Sequence, residues 1–92
     1  MVTAIVLLTV ERDRTNTIAE KLAEIPGVSE VYSIAGRYDL AAIVRVKDND
    51  DLARIVTDHV RKVEGIMMSE TLISFRVFSK HDLERMFSIG ME

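Results

Sequence analysis

An α+β fold in the order β-α-β-β-α-β is predicted by three features of the chain. Two short runs rich in Ile, Val and Leu read as strands, each is followed by an amphipathic stretch, and the two strand-helix units superpose as an internal repeat. A shift of 38 residues sets Ala4, Ile5 and Val6 on Ala42, Ile43 and Val44. The same shift sets Ile18 on Val56, Leu22 on Val60, Gly27 on Gly65 and Val28 on Ile66. Two copies describe a duplicated motif rather than a solenoid.

The first strand is the apolar run from Val2 to Val10. Thr15 or Asn16 can then cap a helix carrying Ile18, Ala19, Leu22 and Ile25, which Pro26 and Gly27 end. "VSEVYSIA", Val28 to Ala35, mixes polar residues into an apolar pattern, as an edge strand does. Leu40 to Val44 is apolar on both sides, which suits a central strand. Asp48 or Asn49 can cap the second helix, whose Leu52, Ile55, Val56, His59, Val60 and Val63 form one stripe. Asp50 and Asp51 suit the positive end of its dipole and Arg61 and Lys62 the negative end; Gly65 stops it. Ile66 to Phe78 reads as the last strand.

This order is the ferredoxin-like signature: a four-stranded antiparallel sheet, strands one and three central, with two helices on one face. The other face would expose residues from apolar runs to water at about 25 cal/mol per Å2, so dimerisation through the sheets is expected. Residues 1–78 form one domain on this reading. Residues 79–92 form a C-terminal helical tail, in which Ser79 and Asp82 resemble a capping pair and Leu83, Met86 and Phe87 share a face.

The 92 residues carry 12 Lys plus Arg against 15 Asp plus Glu, a formal charge of −3, which lacks the basic footprint of a nucleic-acid binder. The absence of cysteine excludes disulfides and thiolate metal sites and fits a reducing compartment. The run Val2 to Val10 is too short to span a bilayer and has neither a basic lead-in nor a cleavage site, so a cytoplasmic protein without membrane contact is expected.

Several motifs fail on their own chemistry. "DNDD", Asp48 to Asp51, would need glycine and glutamate where Ala53 and His59 stand to make a calcium loop. The four glycines, at 27, 36, 65 and 90, make no phosphate-cradling loop. His59 and His81 fall on a helix stripe and in the tail, and no nucleophile elbow occurs, so neither metal, cofactor nor catalytic residue is assigned.

"SIAGRYDLAAIV" raises the one sharp question. Asp39 stands directly against an apolar strand, where a carboxylate needs a partner or water. Gly36 can supply the positive φ of a tight connection, and Arg37 and Tyr38 complete the loop. Asp39 either accepts a hydrogen bond from an amide of the turn or serves a ligand.

Pro26-Gly27-Val28, the Gly-x-Tyr-Asp turn at Gly36 to Asp39, and Gly65-Ile66 with Thr71 beyond together resemble the effector-binding (RAM) domain of the Lrp/AsnC, or leucine-responsive and asparagine-operon, regulators over Val2 to Val77. The resemblance implies dimers through facing sheets, rings of dimers that are commonly octameric, and a small amino acid bound between dimers. It places the ligand against Gly36, Arg37, Tyr38 and Asp39 of one dimer and Ser69 and Thr71 of its neighbour. In such a pocket, loop amides and hydroxyls would hold the α-carboxylate and Asp39 the α-ammonium group. Family regulators carry a helix-turn-helix domain before this one; here the chain starts at the first strand, so it is expected to act on transcription indirectly, for example by joining full-length regulators of the family. The competing reading is a small dimeric monooxygenase-type enzyme of α+β-barrel form, which would show a cleft inside each subunit with His59 facing it.

Overall fold

In the computed structural model, residues 1–80 are described. They form strands β1 (Val2–Val10), β2 (Val28–Ser33), β3 (Leu40–Val46) and β4 (Ile66–Ile73) and helices α1 (Thr15–Ala23) and α2 (Asn49–Arg54). The sheet order is β2-β3-β1-β4 and every pairing is antiparallel, with the two apolar runs in the centre as the sequence requires. Alternation along β1 sends Ala4, Val6, Leu8 and Val10 into the core and Ile5 and Leu7 to the opposite face. Leu40, Ala42 and Val44 of β3 lie across from Leu8, Val6 and Ala4 and join them under Ile18 and Leu22 of α1 and Leu52, Ile55 and Val60 of the second helical segment. No helix among the described residues is long and apolar enough to cross a membrane.

The two repeats meet through their glycines. Gly27 (φ +99°) lets Ile55 lie where a Cβ would stand 2.4 Å from its Cδ1, and Gly65 (φ +97°) does the same for Ile18 at 2.7 Å. Ile18 and Ile55 are thus equivalents in packing, although the shift of 38 pairs Ile18 with Val56. A π-helical turn, Ile55–Val60, absorbs the difference: Arg61 N donates to Val56 O, five residues back, at 3.1 Å. Ile55 and Val60 are therefore both buried, and His59, expected on the apolar stripe, is exposed.

Other expectations are corrected locally. Neither Thr15 nor Asn16 caps α1; the chain enters it through a 3-10 turn, Arg12–Arg14, and Thr15 Oγ1 donates back to Arg12 O at 3.4 Å. Asp48 does cap α2, accepting from Asp51 N at 2.8 Å. β4 ends at Ile73 rather than Phe78, because β1 begins at Val2. After Ser74 N donates to Thr3 O at 2.8 Å, only Val2 of β1 remains alongside, too little to carry a strand on to Phe78. β2 ends at Ser33, and Ile34 N donates to Asp39 O at 2.9 Å, closing the connection to β3. The expected tail helix falls, beyond Lys80, outside the described residues.

Candidate effector site

The turn Gly36–Asp39 sits at the end of the sheet where β1 finishes. Gly36 has φ +133°, and a Cβ there would meet nothing within 4 Å, so glycine serves the backbone angle and not a close approach. Asp39 N donates to Leu8 O at 2.8 Å, which fixes the turn to the central strand.

The Asp39 carboxylate has a defined structural partner: Oδ2 accepts from Val10 N at 2.9 Å. β3 begins at Leu40, opposite Leu8, so Val10 lies beyond the last main-chain partner that β3 offers. The aspartate side chain stands in for the missing carbonyl, at the point where β1 also bulges against β4 between Thr9 and Val10. The partner is not an amide of the turn itself but one 29 residues away. The acid beside an apolar strand thus completes the ladder, and its second oxygen accepts no hydrogen bond from the described residues.

Tyr38 reaches over β1: its hydroxyl donates to Glu70 Oε2 on β4. That hydrogen bond, followed by desolvation and the Glu70 charge, raises the Tyr38 phenol above its ordinary value, against a smaller opposing effect of Arg37. Ser69 lies opposite Leu8, which lies opposite Leu40, so Ser69 and the residue that follows the turn are two strand spacings apart, about 10 Å, at the same sheet end. Thr71 is two residues further along and lines a groove between α2 and β4 together with Leu52, Ala53, Val56 and Ile73.

Strand alternation divides the six residues. Ser69 and Thr71 pair with Leu8 and Val6 and share the helix-bearing face, whereas Glu70 pairs with Leu7 and shares the open face with the Tyr38 hydroxyl. One subunit therefore brings the turn and Ser69 to one end without bringing Thr71 into contact with the turn. Glu70 and Val10 escape sequence reasoning because each partnership is non-local; Glu70 carried no signal beyond standing between two proposed site residues.

Among the described residues, no group of three or more His, Asp or Glu gathers as a metal site. His59 does not line the α2–β4 groove.

The open face is apolar at its centre, with Ile5, Leu7, Ala41 and Ile43, and carries exposed Tyr32, Met68 and Leu72 toward its edges. Arg45 and Glu30 form a 3.7 Å ion pair at the β2 side.

Sheet order and helix placement define a ferredoxin-like domain. The chain belongs to the Lrp/AsnC ligand binding domain family, whose model matches residues 3–83. An HTH-type transcriptional regulator of Pyrococcus abyssi is 40% identical over 76 residues, covering 79% of this chain and 51% of the regulator. The chain thus spans about half the length of that curated relative. The crystal structure of TTHA0845 from Thermus thermophilus is 42% identical, with a TM-score of 0.81 over 87% of this chain and 100% of that one. A feast or famine regulatory protein of M. tuberculosis, described as a complex with L-methionine, shares the fold at 21% identity and a TM-score of 0.73, over 87% of this chain and 54% of that one. The family model describes the domain as a ligand-binding one.

Proposed function

We propose that this module binds a small amino acid, is non-catalytic, and acts on transcription indirectly as an oligomer, in concert with a DNA-binding partner such as a full-length regulator of the same family. The observation that carries the reading is the turn Gly36–Asp39, whose aspartate keeps one carboxylate oxygen that accepts no hydrogen bond from the described residues, in a chain of this family. Gly36 and Arg37 present main-chain amides suited to a carboxylate. The free oxygen of Asp39 suits an ammonium group, and the Tyr38–Glu70 link fixes the turn's height over the sheet. Ser69, on the opposite face from Glu70, would serve a ligand held by the turn of a neighbouring dimer, with Thr71 at the rim of the α2–β4 groove offering its hydroxyl to the same ligand. That a protein of the same fold is described with L-methionine supports the ligand class.

Dimerisation would use the open sheet face, since Met68 and Leu72 stand 65% and 44% exposed beside an apolar centre. A screen of the twenty amino acids for thermal stabilisation, with mass measurement in solution, tests both parts. One or a few amino acids should raise the melting temperature of an assembly no smaller than a dimer. A monomer at micromolar concentration, or no stabilisation by any amino acid at millimolar concentration, would reject the corresponding part.

A further inference from the structure

Beyond Ile73 the chain carries an apolar arm that its own subunit leaves in water. Ser74 makes the last main-chain bond to β1, after which Phe75 is 103%, Val77 59% and Phe78 72% exposed. Three large apolar side chains within four residues are not stabilised by an unpaired extended backbone, so they call for a surface elsewhere.

The same molecule offers one. Between α2 and β4, where the helix leaves the edge strand partly uncovered, lies an open groove of about 240 Å3 lined by Asn49, Leu52, Ala53, Val56, Thr71 and Ile73. It is smaller than the roughly 300–1,000 Å3 of typical small-molecule sites, and it suits an aromatic side chain inserted as an anchor. Charge agrees with shape. The arm carries Arg76 and Lys80, neither with an ion-pair partner among the described residues, while the groove's Asn49 end is flanked by Asp48, Asp50 and Asp51. Asp51 is engaged by Arg54 at 2.6 Å and Asp48 accepts from Asp51 N at 2.8 Å, which leaves Asp50 as the acid at this end with neither contact among the described residues.

The arm begins at the rim of its own groove, because Ile73 lines it, yet Phe75 two residues later is fully exposed. Its own groove therefore does not hold it. We infer that the segment Ser74–Phe78 of one copy seats in the α2–β4 groove of a second copy, with a phenylalanine as the anchor and Arg76 or Lys80 against the acidic start of α2. This contact lies on the helix-bearing side and is separate from the open sheet face, so it can join sheet-paired dimers into a larger assembly.

The test uses the full chain, which has no cysteine of its own. Chains with Ala53→Cys and chains with Val77→Cys are co-expressed and mildly oxidised; a disulfide joining one chain of each kind is expected. Absence of the mixed product while both thiols remain titratable overturns the inference. So does an intrachain disulfide in the doubly substituted chain, which would seat the arm in its own groove. In parallel, Phe75→Ala/Phe78→Ala and the groove-filling Ala53→Phe should each raise the dissociation constant of the larger assembly at least about tenfold in sedimentation, leaving the sheet-paired dimer intact. An unchanged constant in both variants counts against it. Leu72→Glu, on the open face, should dissolve the sheet-paired dimer but still permit the mixed disulfide, so failure of either interface is read separately.

Discussion

Removing the Asp39 carboxylate should open the end of β1, and the size of the effect follows from what is left behind. In Asp39→Ala the Val10 amide, on a residue only 5% exposed, loses its 2.9 Å acceptor and has no β3 carbonyl to turn to. An unsatisfied buried donor costs about 1–3 kcal/mol. For a domain of this length about 4–8 °C of melting temperature is lost per kcal/mol, so a drop of at least about 4 °C is expected at fixed protein concentration. Asp39→Asn keeps a carbonyl oxygen in place and should recover at least half of that loss. Thermal melting of the three proteins side by side checks this, and amide hydrogen exchange at Val10 should quicken in Asp39→Ala alone. An Asp39→Ala protein that melts with the unsubstituted one, or an asparagine variant as unstable as alanine, would refute the assignment of this carboxylate to the ladder.

Gly65→Ala should cost about 1–3 kcal/mol in denaturant titration, because φ +97° is compounded by a Cβ 2.7 Å from Ile18 Cδ1; Gly36→Ala, with nothing within 4 Å, should cost less. Asp48→Ala should lower stability by about 1 kcal/mol through loss of the α2 cap, measured the same way. Tyr38 has a folded value raised above 10.0, so its contribution is complete below that pH and is lost as pH rises through the folded value. The denaturant midpoint should accordingly fall above pH 10 less steeply in Tyr38→Phe than in the unsubstituted protein.

The order of strands and helices was legible because the repeat and the two apolar runs both report which residues must be buried. Leu22 and Val60, paired by the shift of 38, are both wholly buried. The π turn was not legible: periodicity near 3.6 residues puts Ile55, Val56, His59 and Val60 on one stripe, and only the packing of Ile55 against Gly27 shows that Ile55, rather than Val56, is the equivalent of Ile18 and that His59 turns outward. β4 was read five residues too long for a similar reason. Composition reports that Phe75, Val77 and Phe78 are apolar, but a strand needs a neighbour, and the start of β1 decides where that neighbour ends.

At the candidate site the sequence marked Asp39 as an acid requiring explanation. It could not name Val10 as its partner, since the contact spans 29 residues and depends on where β3 begins. The pair Tyr38–Glu70, 32 residues apart, was hidden on the same grounds. Thr71 was marked through the family resemblance, and the register shows that it faces the α2–β4 groove rather than the turn of its own subunit.

The effector reading turns on whether the Asp39 charge holds a ligand in addition to completing the ladder. Calorimetric titration of the amino acid that stabilises the protein most, into the unsubstituted chain, Asp39→Asn and Asp51→Asn as a control for lost charge, asks this directly. Loss of a charge-assisted contact of about 1.5–3 kcal/mol should weaken binding roughly tenfold or more in Asp39→Asn and leave the control unaltered. Equal affinity in all three proteins would contradict a role for the turn carboxylate in binding.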